Sequence, residues 1–502
     1  MGLTVHGVLE RNARKYPEKE AFITSSNRLT YAQMNQTCNQ LARHLQEQGV
    51  QSGDRVAVMS RNNEQFFYAF FSLMKIGAIP MPMNIRLTPN ELVAILQNSN
   101  ASGIFYETEL QETVNAVQDR INVNHVVAIQ EATHKASTYS EENLDLSIDP
   151  REVCEILFTS GTTGVPKGVV FNHEKILAIA SAVSIHFHLS NEDRMLTLMP
   201  LSHSAPLNTF FMSGLYCGSS HVIGDYAPKT FLTLIHQEQT TFSFAAPVAY
   251  LLSSKEPDIK QYDLSSMRVL AYGGGPLALA SYKHVKEVFK NDNFYQVYGL
   301  TEAGPNGILL RPQEHLTKAG SIGKYPTLNM EIRVIHADGT DTEPNEYGEI
   351  ILTGDSLMLG YDNNPEETNT TIKNGWLYTG DIAYKDEDGY VFIVDRKKDV
   401  IISGGVNIYP REIEEVLARH DAVLESCVIG IPNEEWGETV KAVVVLNGVV
   451  TEEELRIFAS SYLADYKCPR QYSFAEALPR NASGKILKQR VKELDGNKSI
   501  IK

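Results

Sequence analysis

Ten residues constrain this chain more than any others. Thr159-Ser160-Gly161-Thr162-Thr163-Gly164-Val165-Pro166-Lys167-Gly168 carry four hydroxyls, three glycines and one lysine, directly after the apolar run Ile156-Leu157-Phe158. A strand-prone apolar run feeding a Gly/Ser/Thr loop brings backbone amides close to phosphate oxygens. Glycines permit the approach, hydroxyls and amides donate hydrogen bonds, and lysine adds charge. A solvated surface loop would need neither this density of donors nor the lysine. The spacing excludes two common phosphate loops. G-x-x-x-x-G-K-[ST] places its lysine directly after the second glycine, whereas Lys167 stands three residues after Gly164. The dinucleotide fingerprint G-x-G-x-x-G does not fit either. A nucleotide triphosphate handled by another fold is the expectation.

A chain of 502 residues is too long for one simple core and implies two or more domains. A net charge of −16 argues against nucleic-acid binding and against anionic membrane surfaces, so any phosphate site must be locally basic. No apolar run approaches the ~18–20 residues of a membrane-spanning helix. Met1 to His6 lacks the charged and apolar regions of a signal peptide, and His6 stands where a myristoylation pattern wants Ser or Thr. Cys38, Cys154, Cys217, Cys427 and Cys468 are scattered, without a C-x-x-C pair, which reads as reduced thiols in a cytoplasmic protein with no zinc site.

Residues 1 to about 150 alternate helical and strand-like stretches. Thr30 to Gly49 reads as a helix capped by Thr30, Arg55–Met59 as a buried strand, and Glu64–Ile76 as a helix stopped by Gly77. Gln130–Asp149 is polar and reads as a surface connection. Asn374-Gly375 and Asp388-Gly389 are hairpin turn signals. After Lys398, an amphipathic helix starts at Pro410, and strand-like Ser426–Ile429 and Lys441–Leu446 follow, enough for a small α+β domain.

Further segments accompany the loop in a fixed order: Tyr298-Gly299-Leu300-Thr301-Glu302, Gly348-Glu349-Ile350, Tyr378-Thr379-Gly380-Asp381, Asp395-Arg396-Lys397-Lys398-Asp399, and Pro479-Arg480-Asn481-Ala482-Ser483-Gly484-Lys485. Over nearly the whole chain this pattern resembles the adenylate-forming superfamily: acyl- and aryl-CoA synthetases, luciferases and peptide-synthetase adenylation domains. The resemblance implies an α/β fold: a large N-terminal domain of layered α/β subdomains, residues 1–397, plus a small mobile α+β domain, residues 398–502. It implies ATP, Mg2+ and coenzyme A as cofactors and substrates.

By resemblance, Thr159, Ser160, Gly161, Thr162, Thr163 and Lys167 hold the β- and γ-phosphates. Glu302, with Thr163, serves the magnesium ion, and Thr301 lies beside the α-phosphate. Tyr298 resembles the ring stacked on adenine, Gln296 the amide at its edge, and Gly273-Gly274-Gly275 and Gly299 the backbone that approaches the nucleotide. Asp381 accepts the ribose hydroxyl protons and Arg396 reaches ribose or phosphate. Lys485 resembles the mobile lysine that meets the carboxylate and α-phosphate, and Lys398 the hinge of the small domain.

For the acyl acceptor, Gly404 and Gly405 resemble the glycines beside pantetheine, Trp436 a neighbour of that tunnel, and Arg86 a position that meets the nucleotide phosphate in some aryl-CoA ligases. His203 matches the residue that gates the carboxylate pocket. Asn208, Phe211, Met212, Ala246, Val297 and Pro305 are the expected acyl-pocket lining. Their mostly apolar character fits a medium or long fatty acid, or an aromatic acid, and Val297 leaves no cation for a second carboxylate. The expected activity is an ATP-dependent carboxylic acid–CoA ligase acting through acyl-AMP, with a fatty acid placed ahead of an aryl acid. The alternatives are an aryl-acid CoA ligase and a stand-alone adenylating enzyme that loads a carrier protein.

Overall fold

The computed structural model describes residues 3–159, 166–480 and 486–496. The chain divides into two compact units, Met1–Ile332 with Ile351–Tyr378, and Arg333–Ile350 with Thr379–Lys502.

The first unit is built on a nine-stranded sheet. Six neighbouring strands are parallel: Phe294–Tyr298, Val269–Gly273, Phe242–Ala245, Arg194–Thr197, Ser220–Ile223 and Glu20–Ile23. Their short, nearly continuous apolar runs suit strands covered on both faces. Helices Pro228–Glu238, Pro247–Ser254 and Leu279–Phe289 supply Phe231, Leu232, Tyr250, Tyr282 and Val285 to a core shared with Leu196, Val222, Leu270 and Phe294. In such sheets ligands bind beyond the carboxyl ends of the strands. That edge carries Leu198–Met199, Ala246, Gly274–Gly275 and Gly299.

A second sheet is wholly parallel, in the order Ile79–Pro82, Arg55–Met59, Gly103–Tyr106, His125–Ala128. The strand Arg55–Met59 stands as expected. The helix expected after Thr30 spans Tyr31–Glu47, held by a capping box in which Thr30 accepts from the Gln33 amide and Gln33 from that of Thr30. The helix Glu64–Lys75 ends one residue before the expected stop. One expectation fails: Ile129–Ala136 is a helix, not a surface connection. Ile129, Ala132 and Ala136 recur at helical spacing among polar residues and are buried, a periodicity that average polarity conceals. The polar stretch beyond it is tied down, with Asn39 donating to the Glu141 carbonyl at 2.7 Å and Asn35 to the Asn143 side chain at 2.8 Å.

A three-stranded sheet positions the phosphate-loop motif. Val153–Thr159 and Lys167–Asn172 pair antiparallel with Thr159 opposite Lys167, and Gly360–Tyr361 adds to the far side with Tyr361 opposite Val169. The two ends of the motif, Thr159 and Lys167, are thereby set side by side. Asn374 and Gly375 turn a hairpin with φ of 52° and 79°, the left-handed pair such turns demand.

The second unit is α+β. Strands Val423–Asn433 and Gly437–Leu446 form a long antiparallel pair, flanked by Ile401–Ser403, Val406–Ile408 and Gln471–Phe474. Helices Pro410–Leu417 and Glu452–Ser460 bury Ile413, Leu417, Leu455 and Ala459 against Val428, Val440 and Val444. No helix among the described residues is long and apolar enough to cross a membrane.

Candidate active site

In the first unit, strand pairing brings the sequence motifs into one constellation. Lys167 opens its strand, and its Nζ pairs with Glu367 and lies 5.2 Å above the centre of the Tyr361 ring. The Tyr361 hydroxyl donates to Glu302 Oε1 at 2.8 Å. The Thr301 hydroxyl is 2.8 Å from that of Ser204. A cation and a carboxylate, over 130 residues apart in sequence, thus meet on one phenol side chain. Ser160, Gly161, Thr162, Thr163 and Gly164 lie outside the described residues. Glu302 is half-buried, and its Oε2 has no hydrogen-bond partner among the described residues. Magnesium takes one or two carboxylates and otherwise phosphates and water, so one carboxylate oxygen left open beside a hydroxyl fits that ion.

The adenine-side candidates sit together at the carboxyl edge of the large sheet. Gly273 lies opposite Val297 and Tyr272 opposite Gln296. Gln296 is buried and accepts from the Tyr272 hydroxyl at 3.3 Å, which orients its amide. A Cβ on Gly273 would stand 2.8 Å from the Val297 carbonyl, and one on Gly299 would stand 2.6 Å from the Pro305 backbone, so both glycines serve close backbone approach. Gly274 has φ of 79°, and both Gly274 and Gly275 have open space where a side chain would be. Tyr298 is half-buried beside this edge.

Next to it, a narrow crevice, partly open to solvent, is lined by Thr197, Met199, Pro206, Phe210 and Phe244 among others. Pro206 and Phe210 come from a π-helical turn, Ala205–Phe211, a form often found at functional sites. Asn208, Phe211 and Met212, expected as acyl-pocket lining, do not border this crevice. Asn208 is fully buried and donates to Glu155 Oε1 at 2.8 Å. Phe211 stacks on Phe67 at 4.5 Å and packs on His221 at 4.3 Å, and Met212 is buried beside it in the chain. Apolar character alone does not tell a pocket wall from a core residue. Ala246, Val297 and Pro305 remain half-buried near the strand ends.

His203 is half-buried just before the π-helical turn, and burial lowers its pKa, so its imidazole is neutral at pH 7. Glu155, in the strand leading to the phosphate loop, is wholly buried, which raises its pKa to about 8 despite the hydrogen bond from Asn208. Arg86 is exposed in a turn, its amide held by the Asn84 side chain at 2.9 Å.

Within the second unit, Asp381 and Arg396 stand opposite each other on adjacent strands and form an ion pair at 2.6 Å. Asp381 is largely buried, and its backbone amide donates to the Thr379 hydroxyl at 3.0 Å. Lys398 is exposed in the short 3-10 turn Lys397–Asp399. Gly404 and Gly405 turn the hairpin Ile401–Ile408 with φ of 57° and 82°, and the Gly404 amide donates to the Trp436 carbonyl at 2.8 Å. A Cβ on Gly404 would stand 2.6 Å from the Trp436 ring, which is half exposed. Lys485 lies outside the described residues.

The sequence reading missed Tyr361, Glu367, Ser204, Pro206 and Phe210. No sequence spacing links residue 361 to residue 302; a two-residue strand makes that link.

Fold and constellation agree with what the sequence matches. Residues 9–362 match the AMP-binding enzyme family and residues 412–485 the AMP-binding enzyme C-terminal domain. The chain belongs to this family, the adenylate-forming acyl-CoA synthetase superfamily, and is an AMP-forming acid–thiol ligase. It is 35% identical over 492 residues to a feruloyl-CoA synthase of an Amycolatopsis species, covering 97% of this chain and 98% of that protein. It is 34% identical over 493 residues to the long-chain-fatty-acid–CoA ligase FadD13 of Mycobacterium tuberculosis, covering 97% of each. The solved o-succinylbenzoate-CoA synthetase of Bacillus subtilis, in complex with its acyl-adenylate intermediate, superposes with a TM-score of 0.88 at 29% identity over 97% of each chain.

Proposed function

We propose that this enzyme activates a fatty acid of medium or long chain and transfers it to coenzyme A. In the first half-reaction a carboxylate oxygen attacks the α-phosphorus of ATP, and the bond to the β-phosphate oxygen breaks. Acyl-AMP forms and pyrophosphate leaves. In the second, the thiol sulfur of coenzyme A attacks the acyl carbon, the C–O bond to AMP breaks, and the thiol proton passes to solvent. Acyl-CoA and AMP are the products.

The observation that carries this reading is the grouping of Lys167, Tyr361, Glu302 and Thr301. It sets a cation and a carboxylate on one phenol side chain beside the strand pair that flanks the phosphate-loop motif. Lys167, with Thr159, Ser160, Gly161, Thr162 and Thr163, holds the terminal phosphates. Glu302 serves the magnesium ion, which when bound neutralises charge across those phosphates. Gly273, Gly274, Gly275, Gln296, Tyr298 and Gly299 form the adenine wall, and Asp381 and Arg396 the ribose contact. His203, kept neutral by burial, turns the carboxylate towards the α-phosphorus, and Lys485 stabilises the charge that develops there. Gly404, Gly405 and Trp436 flank the pantetheine arm, and Lys398 is the hinge of residues 398–502 between half-reactions.

The mostly apolar lining of the crevice between Met199, Pro206, Phe210 and Phe244 suits an acid with a hydrocarbon body. A relative is named for long-chain fatty acids. Another is named for ferulate, so an aryl acid is the second reading. Pyrophosphate and AMP release with a panel of acids tests both. Saturated acids of 8 to 16 carbons outperforming cinnamate-type acids by about tenfold in kcat/KM supports the first, a difference of ~1.4 kcal/mol in transition-state binding. The opposite ranking replaces it with the second.

A further inference from the structure

Tyr361 carries none of the roles assigned above, yet it touches two groups that carry them. Its strand, Gly360–Tyr361, pairs with the strand that begins at Lys167. Its ring face lies 5.2 Å below Lys167 Nζ, within cation–π range. Its hydroxyl donates to Glu302 Oε1 at 2.8 Å, an ordinary length for an O–H···O hydrogen bond. Gly360 makes the placement possible, because a Cβ there would stand 2.9 Å from Thr368. The Thr368 hydroxyl in turn accepts from the Tyr361 amide at 2.9 Å. One residue thus fixes the cation through its face and the carboxylate through its edge.

We propose that Tyr361 is a positioning residue for the first half-reaction: it holds one Glu302 oxygen so that the other faces the divalent cation carried by ATP, while its ring supports Lys167. This rests on the ligase reading above. A tyrosine hydroxyl is an ordinary hydrogen-bond donor at neutral pH, and here it points at a carboxylate oxygen. A ring that merely fills space would support Lys167 and the strand pair equally well without its hydroxyl. The two functions are therefore separable by substitution.

Tyr361→Phe keeps the ring and removes the donor; Tyr361→Leu removes both. The probe is Mn2+ with ATP on the full chain, followed by the electron paramagnetic resonance signal of free Mn2+ and by pyrophosphate release as Mg2+ is varied. The expected result is that Tyr361→Phe weakens Mn2+ binding in the ATP complex about tenfold and raises the Mg2+ requirement similarly. Its KM for ATP at saturating Mg2+ stays within about twofold, and its melting temperature is unchanged. Tyr361→Leu adds a rise in the KM for ATP. Coincident Mn2+ and Mg2+ curves for wild type and Tyr361→Phe overturn the proposal, as does a metal defect found only in the Leu variant. The Mn2+ arm needs no acid or coenzyme A. Failure of the ligase reading shows instead as a wild type that releases no pyrophosphate with any acid.

Discussion

Lys167 joins charge to constraint. Paired with Glu367 and seated over Tyr361, it is held by its surroundings, whereas a free lysine would give up several rotatable bonds on meeting a phosphate. Lys167→Ala is expected to raise the KM for ATP by at least tenfold, since charge-assisted contacts contribute about 1.5–3 kcal/mol. Initial-rate kinetics with ATP varied check this, and an unchanged KM removes the phosphate role. Glu155 makes a different prediction. Its folded pKa of about 8 lies above the ordinary value of 4.5, so between those values the folded state holds a proton that the unfolded state has lost. Stability then falls as pH rises through that window, by up to about 1.4 kcal/mol per pH unit, and levels off above pH 8. Glu155→Gln mimics the neutral acid and is expected to flatten that slope. Urea melts at pH 5.5, 7 and 8.5 read it directly; parallel slopes in variant and wild type contradict the burial account.

At the scale of elements, the parallel strands ending at Ala245, Gly273 and Tyr298 do the placing. Gly273→Ala pushes a methyl group to 2.8 Å from the Val297 carbonyl, and backbone cannot step aside as a side-chain tip can. The expected cost is about 1–3 kcal/mol in a urea melt, with ATP binding weakened because Gln296 and Tyr298 share that strand contact. Elements whose signals are local were legible in the sequence. The Thr30 cap, the apolar run Arg55–Met59 and the turns at Asn374-Gly375 and Gly389 all depend on residues close together in the chain. The helix Ile129–Ala136 was concealed by its polar composition. Gly360–Tyr361 was hidden because two residues carry no periodicity; its existence depends on the strand pair it joins. The same limit explains the pocket. The mostly apolar character of Asn208, Phe211 and Met212 marks them as candidate lining, but which face of their segment meets open space depends on a π-helical turn that packs Phe211 into the core and sets Pro206 and Phe210 along the crevice.

At the scale of the whole molecule, two compact units carry different parts of the proposed chemistry: Lys167, Tyr361 and Glu302 in one, Asp381, Arg396, Gly404 and Trp436 in the other. One enzyme that performs two half-reactions must present different groups to the same acyl-AMP in turn. Lys398→Pro is expected to slow thioester formation from supplied acyl-AMP by tenfold or more while sparing pyrophosphate release, and Lys485→Ala to do the reverse. Rapid-quench measurement of each half-reaction separates the two. Matching losses in both half-reactions contradict the assigned division of labour. The central claim, that this chain couples ATP cleavage to formation of an acyl thioester, is tested most directly by incubating the protein with Mg-ATP and carboxylic acids, with and without coenzyme A, and following AMP, pyrophosphate and thioester mass. The account predicts acid-dependent pyrophosphate release, strongly increased by coenzyme A, with an acyl-CoA of matching mass. Pyrophosphate release indifferent to coenzyme A, with no thioester formed, would contradict it and point to a carrier protein as the acceptor.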